Sequence, residues 1–298
     1  MTDRTARGPA ALVVGEALID IVEHDGAVEE HVGGSPANVA IGLARLEHPV
    51  RLLTRLGADE RARRIADALG REGVELLKQS RGDGATSTAR ARISADGSAE
   101  YTFDIDWRLQ PCDPGPVALV HTGSIALFLE PGGSQVLELL ESLAGSALVT
   151  LDPNIRPSLL GGHAEALRRF ERAAATADLV KLSDEDAEWL YPTFPLEEIA
   201  ERVRRLGPSV AVITLGGEGA LASSSAGTVH VPARPIKVVD TISAGDSFMA
   251  SLASSLLERG LAKVTATLPE VLDRAAHAAA IAVSVAGANP PLRAQLEA

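Results

Sequence analysis

Cysteine, aromatic side chains and positive charge are what this sequence has least of. Its single cysteine, Cys112, rules out an intramolecular disulfide framework and leaves no thiol set for a metal, which fits a reducing compartment. Aromatic residues make up only 3% of the chain, so the few present are worth following. The formal charge of −12 argues against nucleic acid as a general partner, because a phosphate backbone is gripped by a basic face. It leaves room for a nucleotide, whose phosphates need only a local positive field and a divalent cation. No apolar run reaches membrane-spanning length. The opening residues lack the basic, apolar and small-residue order of a signal peptide, so a soluble cytoplasmic protein is expected. No G-x-x-x-x-G-K-[ST] occurs, which excludes a P-loop kinase, and the glycine fingerprint of a Rossmann dehydrogenase is also missing.

What is present is a large apolar content, 46% of 298 residues, enough for one large α/β domain or two small ones. Residues 11–16 read as a buried strand, 17–22 as its continuation interrupted by Asp20, and 28–32 as the second arm of a hairpin turning at 24–26. A glycine turn and helix follow, with Ser35 as N-cap and Pro36 at the first helical position. Residues 50–56 read as a strand and 59–72 as a charged amphipathic helix. A second hairpin, 86–93 and 99–103 around Asp96-Gly97, carries Tyr101 and Phe103, with Trp107 beyond it. From 117 to 215 strands and helices alternate, which argues for a parallel sheet with helices on both faces. The first few residues are expected to be disordered. A small sheet with an exposed aromatic edge would serve as a lid excluding water from a reaction.

The chemistry concentrates in Asp240-Thr241-Ile242-Ser243-Ala244-Gly245-Asp246, between a β-branched segment at 236–239, read as a strand, and an apolar helix. Unpaired N–H groups and the positive end of the helix dipole make such a turn an anion site. A carboxylate there would repel a phosphate unless it takes a proton from an attacking hydroxyl, the role that suits Asp246. The alternative is that Asp240 and Asp246 merely cap the helix. Two other places fit a ligand crevice. Asp20 falls near strand ends, and Asn38, in the first turn after Gly33-Gly34, can reach over the glycines toward a polyol. After Leu151-Asp152-Pro153-Asn154-Ile155-Arg156, Pro153 aims Arg156 over the sheet edge, where a guanidinium suits a phosphoryl or an acid group.

These motifs together resemble the ribokinase-like (PfkB) sugar kinases. The turn matches D-T-x-G-A-G-D with Ser243 at the first glycine, and residues 33–38 match G-G-x-x-x-N. The resemblance implies a doubly wound, mostly parallel α/β domain spanning 1–298, with a small β-sheet lid built from segments 18–32 and 86–105. It also implies roles. Asp246 is the base, Ser243, Ala244 and Gly245 form the anion turn, and Asp20, Gly34 and Asn38 hold the sugar, joined by Glu130, Arg156 and the lid aromatics Tyr101 and Phe103. Lys181-Leu182-Ser183-Asp184-Glu185-Asp186 stands where the family has N-x-x-E, so Ser183 and Asp186 would organise Mg²⁺ through water, with Lys181 beside ATP. The T-x-G-x-x-G turn, Thr214, Gly216 and Gly219, would lie near ATP, and His277 and Asn289 would wall the adenine. Asp240, with the carbonyls of Ile242 and Gly287, would hold a monovalent cation such as K⁺.

The expected activity is ATP-dependent phosphorylation of a sugar, with fructose favoured because residues 16–20, 152–156 and 287–291 look fructokinase-like. Ribose, 2-keto-3-deoxygluconate and a nucleoside stay open. A sugar or nucleotide sensor that has lost catalysis is the rival from another class. A homodimer through the lid is a further implication of the resemblance.

Overall fold

The structure, a computed structural model, describes residues 9–24, 27–93 and 99–297. The chain opens with β1 (Ala10–Val14), β2 (Leu18–His24), β3 (Ala27–Gly33), α1 (Ser35–Arg45), β4 (Val50–Leu53), α2 (Glu60–Arg71) and β5 (Glu75–Leu76). Next come β6 (Thr88–Ile93), β7 (Ala99–Asp104), β8 (Val117–Gly123), α3 (Gly132–Leu143), β9 (Leu148–Asp152) and α4 (His163–Ala174). Then follow β10 (Leu179–Ser183), α5 (Asp184–Leu190), α6 (Leu196–Arg204), β11 (Val210–Thr214), β12 (Ala220–Ser224) and β13 (Gly227–Val231). The chain ends with α7 (Ala244–Arg259), α8 (Leu261–Ala266), α9 (Leu268–Val283) and a last turn, α10 (Arg293–Leu296).

Nine strands form one sheet in the order β13-β12-β11-β10-β9-β8-β1-β4-β5. From β11 to β5 all neighbours run parallel, and β12 and β13 join antiparallel. Alternation along each strand divides the core in two. Ala11 and Val13 of β1 pack with α1, α2, α7 and α9, whereas Leu12 and Val14 pack on the opposite face with α3, α4, α5 and α6. Helix α7 has no polar face. It is covered nearly all round, and its Ser251, Ser254 and Ser255 are fully buried. Gly42 makes one close approach possible: a Cβ there would come 2.7 Å from the Ala250 methyl, so α1 and α7 lie almost backbone to backbone.

The strand order reverses at β1, which has β4 on one side and β8 on the other. In a doubly wound sheet the crevice opens at the carboxyl ends of strands beside such a reversal. Four strands, β3-β2-β6-β7, form a separate small sheet whose β2 leaves β1 almost directly.

Several expectations from the sequence change here. Residues 236–239 are not a strand; Val238 and Val239 are each 57% exposed, and only the N–H groups of Val239 and Asp240 bond, both to the Val283 carbonyl. The sheet already ends at β13, so that segment has no strand to pair with. Helix α9 begins at Leu268, well before the alanine run that marked it in the sequence. Trp107 is not on an exposed edge: it is buried, and its Nε1–H donates to the Ala126 carbonyl at 2.8 Å. The turns at Asp25-Gly26 and Asp96-Gly97, and the opening residues before Pro9, lie outside the described residues. Among the described residues no helix is long and apolar enough to cross a membrane.

Candidate active site

A cleft of about 380 Å³ opens at the strand reversal. Its walls bring together Glu16 after β1, Asp20 on β2, Gly34 and Asn38 at the start of α1, Asp152 and Arg156 after β9, Lys181 on β10, and the turn from Thr241 to Asp246. The Gly33-Gly34 pair is explained by crowding. A Cβ on Gly33 would meet the Asp20 carboxylate, and Gly34 combines φ 109° with the Glu16 carbonyl 2.5 Å from where its Cβ would stand. Gly34 rather than Ser35 is the N-cap of α1, and no side chain caps that helix.

Ser35 is engaged elsewhere. Its hydroxyl donates to Asp246 Oδ1 at 2.6 Å, and the Asn38 amide donates to Asp246 Oδ2 at 2.8 Å. The first turns of α1 and α7 therefore meet across the cleft, and each oxygen of one carboxylate is fixed by the other helix. Asp246 is 9% exposed, and burial pushes its carboxyl up while Ser35, Asn38, Lys181 and Arg156 pull it down. Burial outweighs them and leaves the carboxyl above its usual range, so Asp246 is an oriented group with raised proton affinity, neither a cap nor a packing residue. The N–H of Ala244 donates to Thr241 at 3.3 Å, while those of Gly245 and Asp246 meet no carbonyl. Ser243 accepts the left-handed geometry that a glycine holds easily, at φ 60° and ψ 13°, and its Oγ is buried without a partner.

Beneath the turn lies a buried ion pair. Lys181 Nζ donates to Asp152 Oδ2 at 2.8 Å, with the two side chains only 5% and 2% exposed. A Cβ on Gly245 would stand 3.0 Å from Nζ, so the ammonium packs directly under the anion turn. Burial drives the Asp152 carboxyl up to about 6, still ionised at neutral pH. Burial alone would lower Lys181, but Asp152, Asp186 and Asp246 outweigh it and hold the ammonium charged. Nearby His121 is held neutral, its pKa pushed down to about 3 by burial and then by Lys181.

Other expected site residues fall differently. Arg156, Phe103 and Asp20 line the cleft, and burial raises the Asp20 carboxyl against the pull of His31 and Arg156. Tyr101 sits on β7 opposite Ala91. Glu130 does not face the cleft; it is turned to Arg169 of α4 and accepts the Ser134 hydroxyl at 2.7 Å. Ser183 and Asp186 form a capping box at the start of α5, and the Asp186 carboxylate accepts the N–H of Ile155 at 2.7 Å and of Ser183 at 3.0 Å. Both oxygens thus pin the loop that carries Arg156, and neither residue is among those lining the cleft. Thr214, Gly216, Gly219, His277 and Asn289 also lie off the cleft, and Asn289 accepts from Arg45. Gly219 has a packing reason, since a Cβ there would strike the Val231 carbonyl at 2.1 Å. Asp240 accepts the N–H of Ile242 at 3.0 Å and of Gly287 at 2.8 Å, which hold its carboxyl below the usual range. The three residues named for a monovalent cation are therefore neighbours.

Sequence reasoning passed over Ser35, whose partner is distant in the chain, and Glu16. A signal for Glu16 was present: an acid directly after a buried strand and its glycine.

Comparison with known proteins identifies the family. The profile of the pfkB family of carbohydrate kinases matches residues 10–295. The chain belongs to that family. A fructokinase from Klebsiella pneumoniae is 33% identical over 292 residues, covering 94% of this chain and 95% of its own. Among solved structures, a double-mutant fructokinase from Vibrio cholerae O395, with fructose, ADP and potassium bound, superposes at a TM-score of 0.82. It is 26% identical, and the match covers 96% of this chain and 95% of that one. An aminoimidazole riboside kinase from Salmonella enterica, with its riboside and an ATP analogue, gives 0.80 at 26% identity, covering 97% and 98%. Like these pfkB kinases, the chain has an α/β fold with a large, mostly parallel sheet and a small second sheet.

Proposed function

We propose that the chain is an ATP-dependent sugar kinase that transfers the γ-phosphoryl group to a hydroxyl of fructose. One observation carries the reading: the Asp246 carboxylate, oriented by Ser35 and Asn38, stands beside the free N–H groups of Gly245 and Asp246 in a cleft shared with Asp20 and Arg156. In this scheme the sugar hydroxyl lies against Asp246, which takes its proton as the oxygen attacks phosphorus. The new O–P bond forms as the bond to the leaving ADP oxygen breaks. The charge on the transferring group meets the two N–H groups, the α7 dipole and the Lys181 ammonium below. Catalysis is then positioning and electrostatics.

Asn38 serves first by fixing Asp246. Gly34 N–H, Asp20 and Arg156 are the groups left to meet sugar oxygens. Magnesium would enter with the nucleotide. Ser183 and Asp186 do not suit a metal directly, because their side-chain oxygens are committed to main-chain N–H groups. At Asp240 each carboxylate oxygen likewise accepts a main-chain N–H, from Ile242 and Gly287, so a monovalent cation there would use the oxygens' remaining lone pairs and would tie the anion turn to the 287 loop. The 3-2-6-7 sheet is the lid, with Phe103 over the sugar. The open edges at β3 and β7 support pairing with a second copy. The reducing environment that fits a lone cysteine, together with ATP, points to the cytoplasm.

Coupled ADP-release assays across fructose, ribose, 2-keto-3-deoxygluconate and aminoimidazole riboside test the reading. Turnover with fructose at the highest kcat/KM is expected. A riboside ranks second because of the riboside kinase among the structural neighbours. Absence of ADP release with every sugar would leave only the sensor.

A further inference from the structure

Glu16 is a buried cleft acid that forms no ion pair among the described residues. It follows β1, where Gly15 leaves room for Pro36, and it is among the residues lining the cleft although only 3% exposed. Oε2 is buried without any hydrogen-bond partner. Burial raises its carboxyl to about 8, with a Ser124 hydrogen bond and its own N–H opposing this, Asp246 adding to it and Arg156 subtracting. The groups facing it are Ser124 after β8, Asp246 of α7 and Arg156 after β9, while Asp20, Asp152 and Lys181 share the same cleft. A buried carboxyl next to a second carboxylate keeps its proton at neutral pH. That proton then needs an acceptor, because a buried donor left unpaired is costly. At Oε2 no protein atom is placed to accept it.

We propose that Glu16 is a further substrate-binding residue that, as a neutral acid, donates a hydrogen bond from its unpartnered oxygen to an oxygen of the sugar. This rests on the kinase reading and adds to it. The acceptor comes from what fills the cleft. Because Glu16 is uncharged, Asp246 is spared a like-charged neighbour while it takes the hydroxyl proton. The sugar would thus bridge two acids in different states, Glu16 giving a hydrogen bond and Asp246 receiving one. Nearness in space with opposed protonation is how paired carboxyls divide their roles.

The test is the pH dependence of kcat/KM for the sugar, with ATP saturating, in the wild type, Glu16→Gln and Glu16→Leu. In the wild type kcat/KM falls as pH rises through about 8, when the donor is lost. Glutamine keeps a donor that does not titrate, so Glu16→Gln costs a few-fold near neutral pH and loses the alkaline fall. Leucine fills the space without a donor, and Glu16→Leu loses about tenfold or more in kcat/KM for the sugar while KM for ATP changes less than about twofold. An alkaline fall unmoved in Glu16→Gln, or a leucine variant as good as glutamine, would overturn this inference while leaving the kinase reading intact. No phosphorylation of any sugar by the wild type would sink both.

Discussion

Replacing Lys181 with methionine tests the buried pair on which the anion turn rests. The substitution keeps the length of the side chain but removes the ammonium from Asp152 Oδ2, 2.8 Å away. Asp152 Oδ1 already has no partner, so both oxygens of a carboxylate 2% exposed would then be bare. Asp186 and Asp246 bear on the same charge. Breaking a buried pair from one side typically costs about 3–5 kcal/mol, because a charge is left without compensation. That is a large part of the roughly 5–15 kcal/mol by which domains are stable. The assay is urea unfolding of Lys181→Met, Asp152→Asn and the double variant. The single lysine variant should lose about 3–5 kcal/mol, and the double variant should recover more than half, since no charge is left stranded. Asp152, already shifted to about 6, rises further without lysine, so the loss should shrink as pH falls and the carboxyl takes a proton. A loss below about 1 kcal/mol for Lys181→Met, or a double variant as weak as the single, would refute the reasoning.

Asp246→Asn should lower kcat at least about a hundredfold with unfolding unchanged within about 1 kcal/mol, and steady-state kinetics showing a loss under tenfold would remove its role as base. Ser243→Gly should stabilise the protein by about 0.5–1 kcal/mol, read as a higher urea midpoint, because serine is strained at φ 60° and glycine is not. Glu16→Gln should change the slope of stability with pH. The wild-type carboxyl has its folded pKa raised from 4.5 to about 8, so the unfolded chain releases this proton first and stability falls by about 1.4 kcal/mol per pH unit across that window. Urea unfolding at both ends of the window should show that component gone in the glutamine variant.

How much was legible beforehand depended on the range of the interactions. The βα alternation, the helix at 132–143 and the glycine turns before α1 and α7 were readable because they depend on residues a few places apart. The anion turn was readable for the same reason. Ile236-Lys237-Val238-Val239 misled, since β-branched residues favour a strand only where a neighbouring strand exists. Trp107 and Glu130 misled too: each sits in a loop, and only the packing of α3 and α4 decided that one is buried and the other paired outward.

The sequence by itself determined the layered α/β architecture and the chemistry of one turn, because backbone preferences and side-chain periodicity are local. Only the tertiary structure decided that Ser35 and Asn38 would hold Asp246, more than 200 residues away, and that Lys181 would lie under Gly245 against Asp152. Those pairings follow from the order of strands in the sheet and the closeness of α1 to α7. Burial, which sets the charge of Glu16 and Asp152, exists only once the whole chain has packed.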